Sequence, residues 1–216
     1  MKKYLLVFAV LLFSVKSFAQ IDLMGGMGIS FQSTPSLTDY INNLVADGEK
    51  LNDFSSSINF FIEGDYEISS TFDLGIEYEN KLFSYNTAFG GLGTYDLTWT
   101  THSPSLLAYY AIQGTGYKFK FGGGAGYRLI SVDEELPTSN QIENYTSSGF
   151  GLLLKAQAHT LLGGNFHAYI GTDIRYDFIG EPSNEKSKIG TADYGREIDF
   201  NTLGVGVKLG ISYLIR

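Results

Sequence analysis

Apolar residues occupy every second position over eight separate segments of this chain. A period of two is that of a β-strand whose two faces meet different surroundings. The segments predict eight strands, at Ile21 to Gln32, Ser57 to Ile68, Phe72 to Tyr85, Tyr95 to Gln113, Tyr117 to Ser131, Tyr145 to Leu161, Phe166 to Ile179 and Ile198 to Ile215. The predicted fold is therefore all-β.

The links between the predicted strands alternate between short and long. Tight turns fall at residues 69–71, 114–116 and 162–165, and longer links at residues 33–56, 86–94, 132–144 and 180–197. Short turns at one end and long loops at the other are typical of bacterial outer-membrane barrels with an even strand count. The pattern predicts an eight-stranded antiparallel up-and-down transmembrane β-barrel, with periplasmic turns and long outer loops.

The first long link contains a predicted helix. Pro35 follows two residues that can cap a helix, Leu37, Ile41 and Leu44 recur at helical spacing, and Gly48 supplies a stop signal. We expect this short helix to close over the outer mouth of the barrel. An element that binds a receptor is the alternative.

The two faces of the predicted strands differ in charge. On the seventh strand, Ile170, Ile174 and Tyr176 alternate with Asp173 and Arg175. The charged faces together predict an interior cluster, structural or pore-lining in role, made of Glu63, Asp65, Glu67, Asp73, Glu77, Glu79, Lys118, Lys120, Arg128, Lys155, Asp173, Arg175, Asp177 and Lys208. Its near balance of signs indicates ion pairing, because a buried charge without a partner is costly.

Two architectures fit these faces. A soluble barrel keeps its apolar rows inside around a ligand, whereas a membrane barrel turns them toward lipid. Outward apolar rows would aggregate in water. Aromatic residues near the turns suit the interfacial girdle of a membrane barrel, namely Tyr66, Phe72, Tyr117, Phe166 and Tyr213. These observations favour the membrane barrel, and we expect Trp99 to belong to its aromatic belt.

The N-terminus has the pattern of a secretory signal peptide. A basic start precedes an apolar run from Leu5 to Phe13, and small residues follow at Ser17 and Ala19. We expect cleavage after Ala19, so that residues 1–19 are the signal peptide and residues 20–216 the outer-membrane β-barrel domain.

The charge and the cysteine content exclude several functions. The expected mature chain keeps 12 basic residues against 23 acidic ones, a net charge of −11. Nucleic acid is therefore excluded as a partner, because phosphate binding needs a basic face. The chain has no cysteine, which excludes disulfides, thiolate metal sites and a cysteine nucleophile.

Three features carry a family resemblance: the signal pattern, the segment SPSLLAYYAIQGTGYKFKFGGGAGYRL (103–129) and the final strand NTLGVGVKLGISYLIR (201–216). With these features the chain resembles the small outer-membrane β-barrel domains of the OmpA and OmpX type, especially the porin-like barrels of the Bacteroidetes. The resemblance implies outer-membrane lipids and, during insertion, the barrel assembly machinery as partners. Barrels of this type usually end in an aromatic residue, whereas here Tyr213 is the nearest outward one.

Few residues suggest catalysis or metal binding. His102 and Ser103 would need a bulge at Pro104 to act as base and nucleophile, because neighbours in a strand point to opposite faces. His159 and His167 both face inward, but no third metal ligand has a recognisable spacing. The sequence therefore predicts no catalytic residues, no cofactor and no metal site.

The strand count limits what the interior can conduct. Eight strands enclose a lumen that side chains nearly fill, although inward glycines such as Gly122 and Gly124 leave room for water or for long side chains. We expect a non-enzymatic integral outer-membrane protein with a structural or adhesive role, or a very narrow porin-like conduit. The alternatives are a membrane-embedded lipid-modifying barrel enzyme, which would require His102 or another polar residue to point outward at lipid depth, and a soluble periplasmic ligand-binding barrel. No extracellular ligand of the loops is specified.

Overall fold

The computed structural model of the protein describes residues 20–44, 50–88, 91, 93–137, 141–190 and 198–215. Eight strands form a closed barrel in sequence order, with bounds β1 Ile21–Ser33, β2 Ser55–Ser69, β3 Phe72–Ala88, β4 Thr94–Gly114, β5 Tyr117–Glu135, β6 Ile142–Gly163, β7 Phe166–Ile179 and β8 Thr202–Ile215. In the part of the chain described, one helix, α1, spans Pro35–Leu44 between β1 and β2. Within these ranges no helix has the length and apolarity needed to cross a membrane.

The barrel closes where the first strand meets the last. Ile21 of β1 pairs with Ile215 of β8, and every other strand pairs in antiparallel fashion with its neighbours in sequence. The tight turns after β4 and β6 use Gly116 and Gly164, with φ of 81° and 57°, a left-handed conformation that glycine adopts readily. The predicted eight-stranded up-and-down barrel is confirmed.

An apolar belt covers the outside of the barrel. Its most exposed members include Leu106 and Phe150, each 67% exposed, and Ile62 at 64%. A soluble monomer seldom exposes an apolar patch larger than a few hundred Å², whereas a membrane barrel presents such a belt to lipid. The charged rows of the same strands point inward. This arrangement rules out the soluble barrel with an apolar lumen.

Aromatic side chains ring both ends of the belt. The turn-side girdle has the exposed residues predicted for it: Tyr66, Phe72, Tyr117, Phe166 and Tyr213. The loop-side girdle includes Tyr78, Tyr127, Phe150, Tyr176 and Phe178. Girdles of this kind mark the two membrane interfaces, and the distance between them sets the depth of lipid contact.

Four strands continue beyond the loop-side girdle and form what we call the outer sheet. It consists of residues 83–88 of β3, 94–101 of β4, 130–135 of β5 and 142–148 of β6. The sheet makes β5 and β6 longer than predicted, since β5 ends at Glu135 instead of Ser131 and β6 begins at Ile142 instead of Tyr145. β8, in contrast, begins at Thr202 and leaves the predicted start at Ile198 in a loop.

Trp99 lies inside the mouth of the barrel, so its predicted place in the aromatic belt is wrong. Its side chain is buried, and its ring stacks on Phe83 with centroids 3.8 Å apart and meets the edge of Phe200 at 5.6 Å. Above the membrane the interior is apolar and the outer face is polar, as in a soluble protein. Trp99 therefore follows the inward row of β4 into an apolar core.

Candidate functional site

All fourteen charged residues predicted for the interior point into the barrel. Thirteen of them are buried, while Glu67 at the turn-side rim keeps 11% of its side chain exposed. A strand that turns one face to lipid necessarily turns the other to the lumen, which explains the placement. Their contacts fall into two clusters and one separate pair.

The turn-side cluster consists of Asp22, Asp65, Glu67, Asp73, Lys118 and Lys120. Lys120 Nζ lies 2.6 Å from Asp22 and 2.7 Å from Asp65. Lys118 Nζ lies 2.8 Å from Asp22 and 2.9 Å from Asp73. Oxygens of the three aspartates lie within 4.8 Å of one another, a spacing that suits a metal ion. The two lysine ammonium groups supply the positive charge at that place instead.

The central cluster consists of Glu63, Glu77, Glu79, Lys155, Asp173, Arg175 and Lys208. Glu77 connects its cations: the carboxylate contacts Lys155 Nζ, and lies 2.7 Å from Arg175 Nη2 and 3.2 Å from Lys208 Nζ. Phe61 lies beside the same cations, with its ring centroid 5.4 Å from Lys155 Nζ and 5.2 Å from Lys208 Nζ. Cation–π contacts therefore add to the ion pairs.

Further contacts cross-link the lumen. Arg128 Nε lies 2.6 Å from Asp177 in a separate pair nearer the outer mouth. Tyr109 donates a hydrogen bond of 2.7 Å to Glu63, and Gln157 donates one of 2.8 Å to the Tyr109 hydroxyl. Ion pairs and hydrogen bonds thus join opposite walls of the barrel at membrane depth.

Besides Glu134 near the outer mouth, two buried inward charges are missing from the predicted cluster. Asp22 is buried in the turn-side cluster, and Lys81 is buried two positions beyond Glu79 on the inward row of β3. Both follow from extending the alternation. Asp22 lies between the outward residues Ile21 and Leu23 in a strand rich in glycine. Because this strand has no other charged residue, its alternation of charged and apolar positions is weak.

Glycines in β5 bring its wall so close to β4 that no side chain fits between them. A Cβ on Gly122 or Gly124 would lie 2.0 Å from a backbone oxygen of β4. The side chains of Tyr109 and Leu107, both from β4, lie directly over these two glycines. The space beside these two glycines, which the sequence pattern assigned to water or long side chains, is therefore occupied by the side chains of Tyr109 and Leu107.

An apolar cap closes the outer mouth above the charged lumen. It is built from Leu37, Tyr40, Ile41, Phe83, Tyr95, Leu97, Trp99, Ile130, Val132, Tyr145, Ile179, Ile189, Ile198 and Phe200. Glu134 is buried beside the cap and accepts hydrogen bonds of 2.8 Å from Tyr40 of α1 and from Tyr95. The predicted short helix is confirmed and packs into this cap, while its predicted end at Gly48 lies outside the described residues.

The histidines do not form the constellations considered from sequence. Ser103 is buried in the lumen and His102 lies on the outer surface, because the pairing of β3 with β4 runs through Pro104 without a shift. His159 Nδ1 lies 2.8 Å from Ser212 Oγ, and His167 Nδ1 lies 3.2 Å from a backbone oxygen. Over the described ranges neither belongs to a group of three metal-ligating side chains.

A closed eight-stranded barrel with an apolar outer belt and a charged lumen is the architecture of a small outer-membrane β-barrel. No family model matches the chain, and no curated protein matches its sequence. Its fold is similar to that of the attachment invasion locus protein Ail of Yersinia pestis, which was solved with the heparin analogue sucrose octasulfate. The two chains are 13% identical, the match covers 91% of this chain and 99% of that one, and the TM-score is 0.51.

A second solved structure has the same fold. A major outer membrane protein of Thermus thermophilus is 16% identical over 92% of this chain and 100% of that one, with a TM-score of 0.52. At these identities the likeness concerns the fold alone. The fold and the apolar belt together confirm the predicted outer-membrane β-barrel, the fold that the resemblance to the OmpA and OmpX type implied. The signal peptide, residues 1–19, lies outside the described residues and stays a prediction.

Proposed function

We propose that this chain is a non-conducting, non-enzymatic outer-membrane barrel with a structural or adhesive role at the cell surface. Its partners in this proposal are outer-membrane lipids and, during insertion, the barrel assembly machinery. The observation that carries the proposal is the double closure of the lumen: the ion-paired clusters fill it at membrane depth, and the apolar cap closes its outer mouth. The charged residues then serve as a structural plug and not as the lining of a pore.

The narrow conduit is the competing function, and conductance decides between them. We expect the purified chain in a planar lipid bilayer to give no current steps above the leak, because an ion would have to cross both closures. A sixteen-stranded porin in the same bilayer serves as the positive control. Discrete, reproducible steps from the folded chain would contradict the plug.

The lipid-modifying enzyme is the second alternative. His102 and Ser103 cannot act together as base and nucleophile of such an enzyme, because they face opposite sides of β4. Lipid A and phospholipid composition of cells that carry the wild-type chain or the double variant H102A/S103A tests this directly. Equal lipid profiles support the non-enzymatic proposal, and a modified lipid that disappears with the variant refutes it.

For the adhesive role, the outer sheet supplies the surface. Its outward face carries Asp96, Asp133 and Glu135 and, in its described residues, no lysine or arginine. Asn144 Nδ2 donates to Asp133 at 2.7 Å, which helps to fix that carboxylate. A sulfated sugar such as the sucrose octasulfate of the Ail structure would meet like charge here. The sheet therefore fits a cationic partner.

We expect vesicles that carry the barrel to adhere to a polylysine-coated surface more than to a heparin-coated one. The triple variant D96N/D133N/E135Q should lower adhesion to polylysine about tenfold, since three rim charges contribute roughly 0.5 kcal/mol each. The control D39N/D53N/E185Q removes three exposed carboxylates elsewhere. Equal loss in both variants would indicate net charge alone and contradict a role for the sheet.

A further inference from the structure

His102 belongs to a polar group on the lipid-facing side of the barrel, at the outer membrane interface. On the outward row of β4 it is the last polar residue before Pro104 and Leu106 begin the apolar belt. Its Nδ1 atom lies 2.7 Å from the hydroxyl of Tyr78 and 3.2 Å from Asn80 Nδ2. Its ring also stacks on that of Tyr78, with centroids 6.1 Å apart.

These contacts indicate which nitrogen of the His102 imidazole accepts a hydrogen bond and which carries the proton. The amide nitrogen of Asn80 can only donate, so Nδ1 of His102 accepts, and the hydroxyl of Tyr78 donates to the same atom. The proton is then on Nε2. Nε2 has no hydrogen-bond partner among the described residues, so a fixed N–H donor is left without an acceptor at the level of the lipid headgroups.

An apolar groove begins at Pro104, the next outward residue of β4 after His102. It has a volume of about 370 Å³ and is lined by Ile76, Pro104, Ser105, Leu106, Ala125, Gly126, Tyr127 and Phe150. The small residues Ala125 and Gly126 form the floor of the groove. The rings of Tyr127 and Phe150 form one wall, with centroids 5.3 Å apart in an edge-to-face arrangement. Tyr78 is the register partner of Pro104 and so joins the polar group to the groove.

We propose that this surface is a binding site for one phospholipid of the outer membrane, which we call the lipid site. An acyl chain lies in the groove, and the ester carbonyl at its head accepts a hydrogen bond from His102 Nε2. Because Nδ1 accepts from Asn80, the ring carries a single proton, and a neutral N–H donor suits an ester carbonyl. The outward residues at this level, Tyr78, Asn80 and His102, include no lysine or arginine, so the two phosphates of a lipopolysaccharide would lack cations.

Photocrosslinking in a defined bilayer tests the lipid site. The full chain is reconstituted in vesicles of phosphatidylethanolamine and phosphatidylglycerol with a trace of phosphatidylethanolamine that carries a diazirine on one acyl chain. We expect crosslinks to concentrate on the groove residues of β4, β5 and β6. H102A should lower groove crosslinking about tenfold, the effect of one lost hydrogen bond, and A125L, which fills the floor, should lower it similarly.

Matched variants separate the site from general lipid contact. T100A removes a neighbouring outward side chain and A168L fills a small position on β7; both should leave groove crosslinking unchanged. H102Q keeps an N–H at the place of Nε2 and should restore it. All variants lie on the outer surface, and heat-modifiable gel migration verifies that they fold.

Any one of four outcomes would overturn the lipid site. Crosslinks spread evenly around the belt, or a groove signal that H102A and A125L leave intact, would show ordinary boundary lipid. Loss of the groove signal on addition of lipopolysaccharide at low molar ratio would assign the site to that lipid. Release of lysophospholipid from the vesicles would indicate an enzyme, and would refute the non-enzymatic proposal as well.

Discussion

Replacing Glu77 with alanine will cost about 3 to 5 kcal/mol of unfolding free energy, the range expected when one member of a buried ion pair is removed. Glu77 is fully buried and its carboxylate contacts three cations, Lys155, Arg175 and Lys208. In the variant these cations remain in the lumen with less negative charge to offset them. Their mutual repulsion and their lost hydration then both favour the unfolded state.

Urea unfolding of the barrel in lipid vesicles measures this loss. Trp99, the single tryptophan, reports on it because it is buried in the cap. E67A should lower the unfolding free energy much less, because Glu67 lies at the rim and Lys118 keeps its ion pairs with Asp22 and Asp73. A loss for E77A no larger than that for E67A would show that the central cluster does not stabilise the barrel.

The alternation of side chains was enough to predict the barrel and to place its fourteen interior charges. This works because lipid on one side and a packed lumen on the other impose opposite demands on successive residues. Which carboxylate meets which cation could not be predicted in the same way. Lys120 and Asp22 are neighbours in space although 98 residues separate them in sequence, and their contact depends on the register of several strands.

The outer sheet shows where the same reasoning fails. Along β4, the inward row changes from Ser103 and Thr101 to Trp99, Leu97 and Tyr95 as the strand leaves the membrane. The period of two continues, but the apolar residues change from the outer face of the strand to the inner face. There they pack with α1 in the cap, while the polar face of the strand meets water. The sequence pattern does not show where the strand passes from lipid into water, so it predicts Trp99 on the outside and places the outer ends of β5 and β6 too close to the membrane.

Replacing Gly124 with alanine will cost about 3 kcal/mol, the upper end of the range for overpacking. The added Cβ would lie 2.0 Å from the backbone oxygen of Leu106 and 2.8 Å from the side chain of Leu107. Leu107 can rotate, but the backbone oxygen is held in the pairing of β4 with β5. The two strands must therefore separate at this point, which weakens the wall beside the lumen.

Gly64 supplies the matched control. It lies in the middle of β2, on the outward row, and a Cβ there would meet only Leu23 Cδ2, at 3.5 Å. G64A should be neutral or stabilise the barrel by about 0.4 to 1 kcal/mol, since alanine restricts the unfolded chain. The comparison uses the same substitution, the same urea titration and the same lipid. If G124A unfolds with the same midpoint as G64A, β5 does not approach β4 as closely as the structure has it, and the lumen has more room for water than the plug allows.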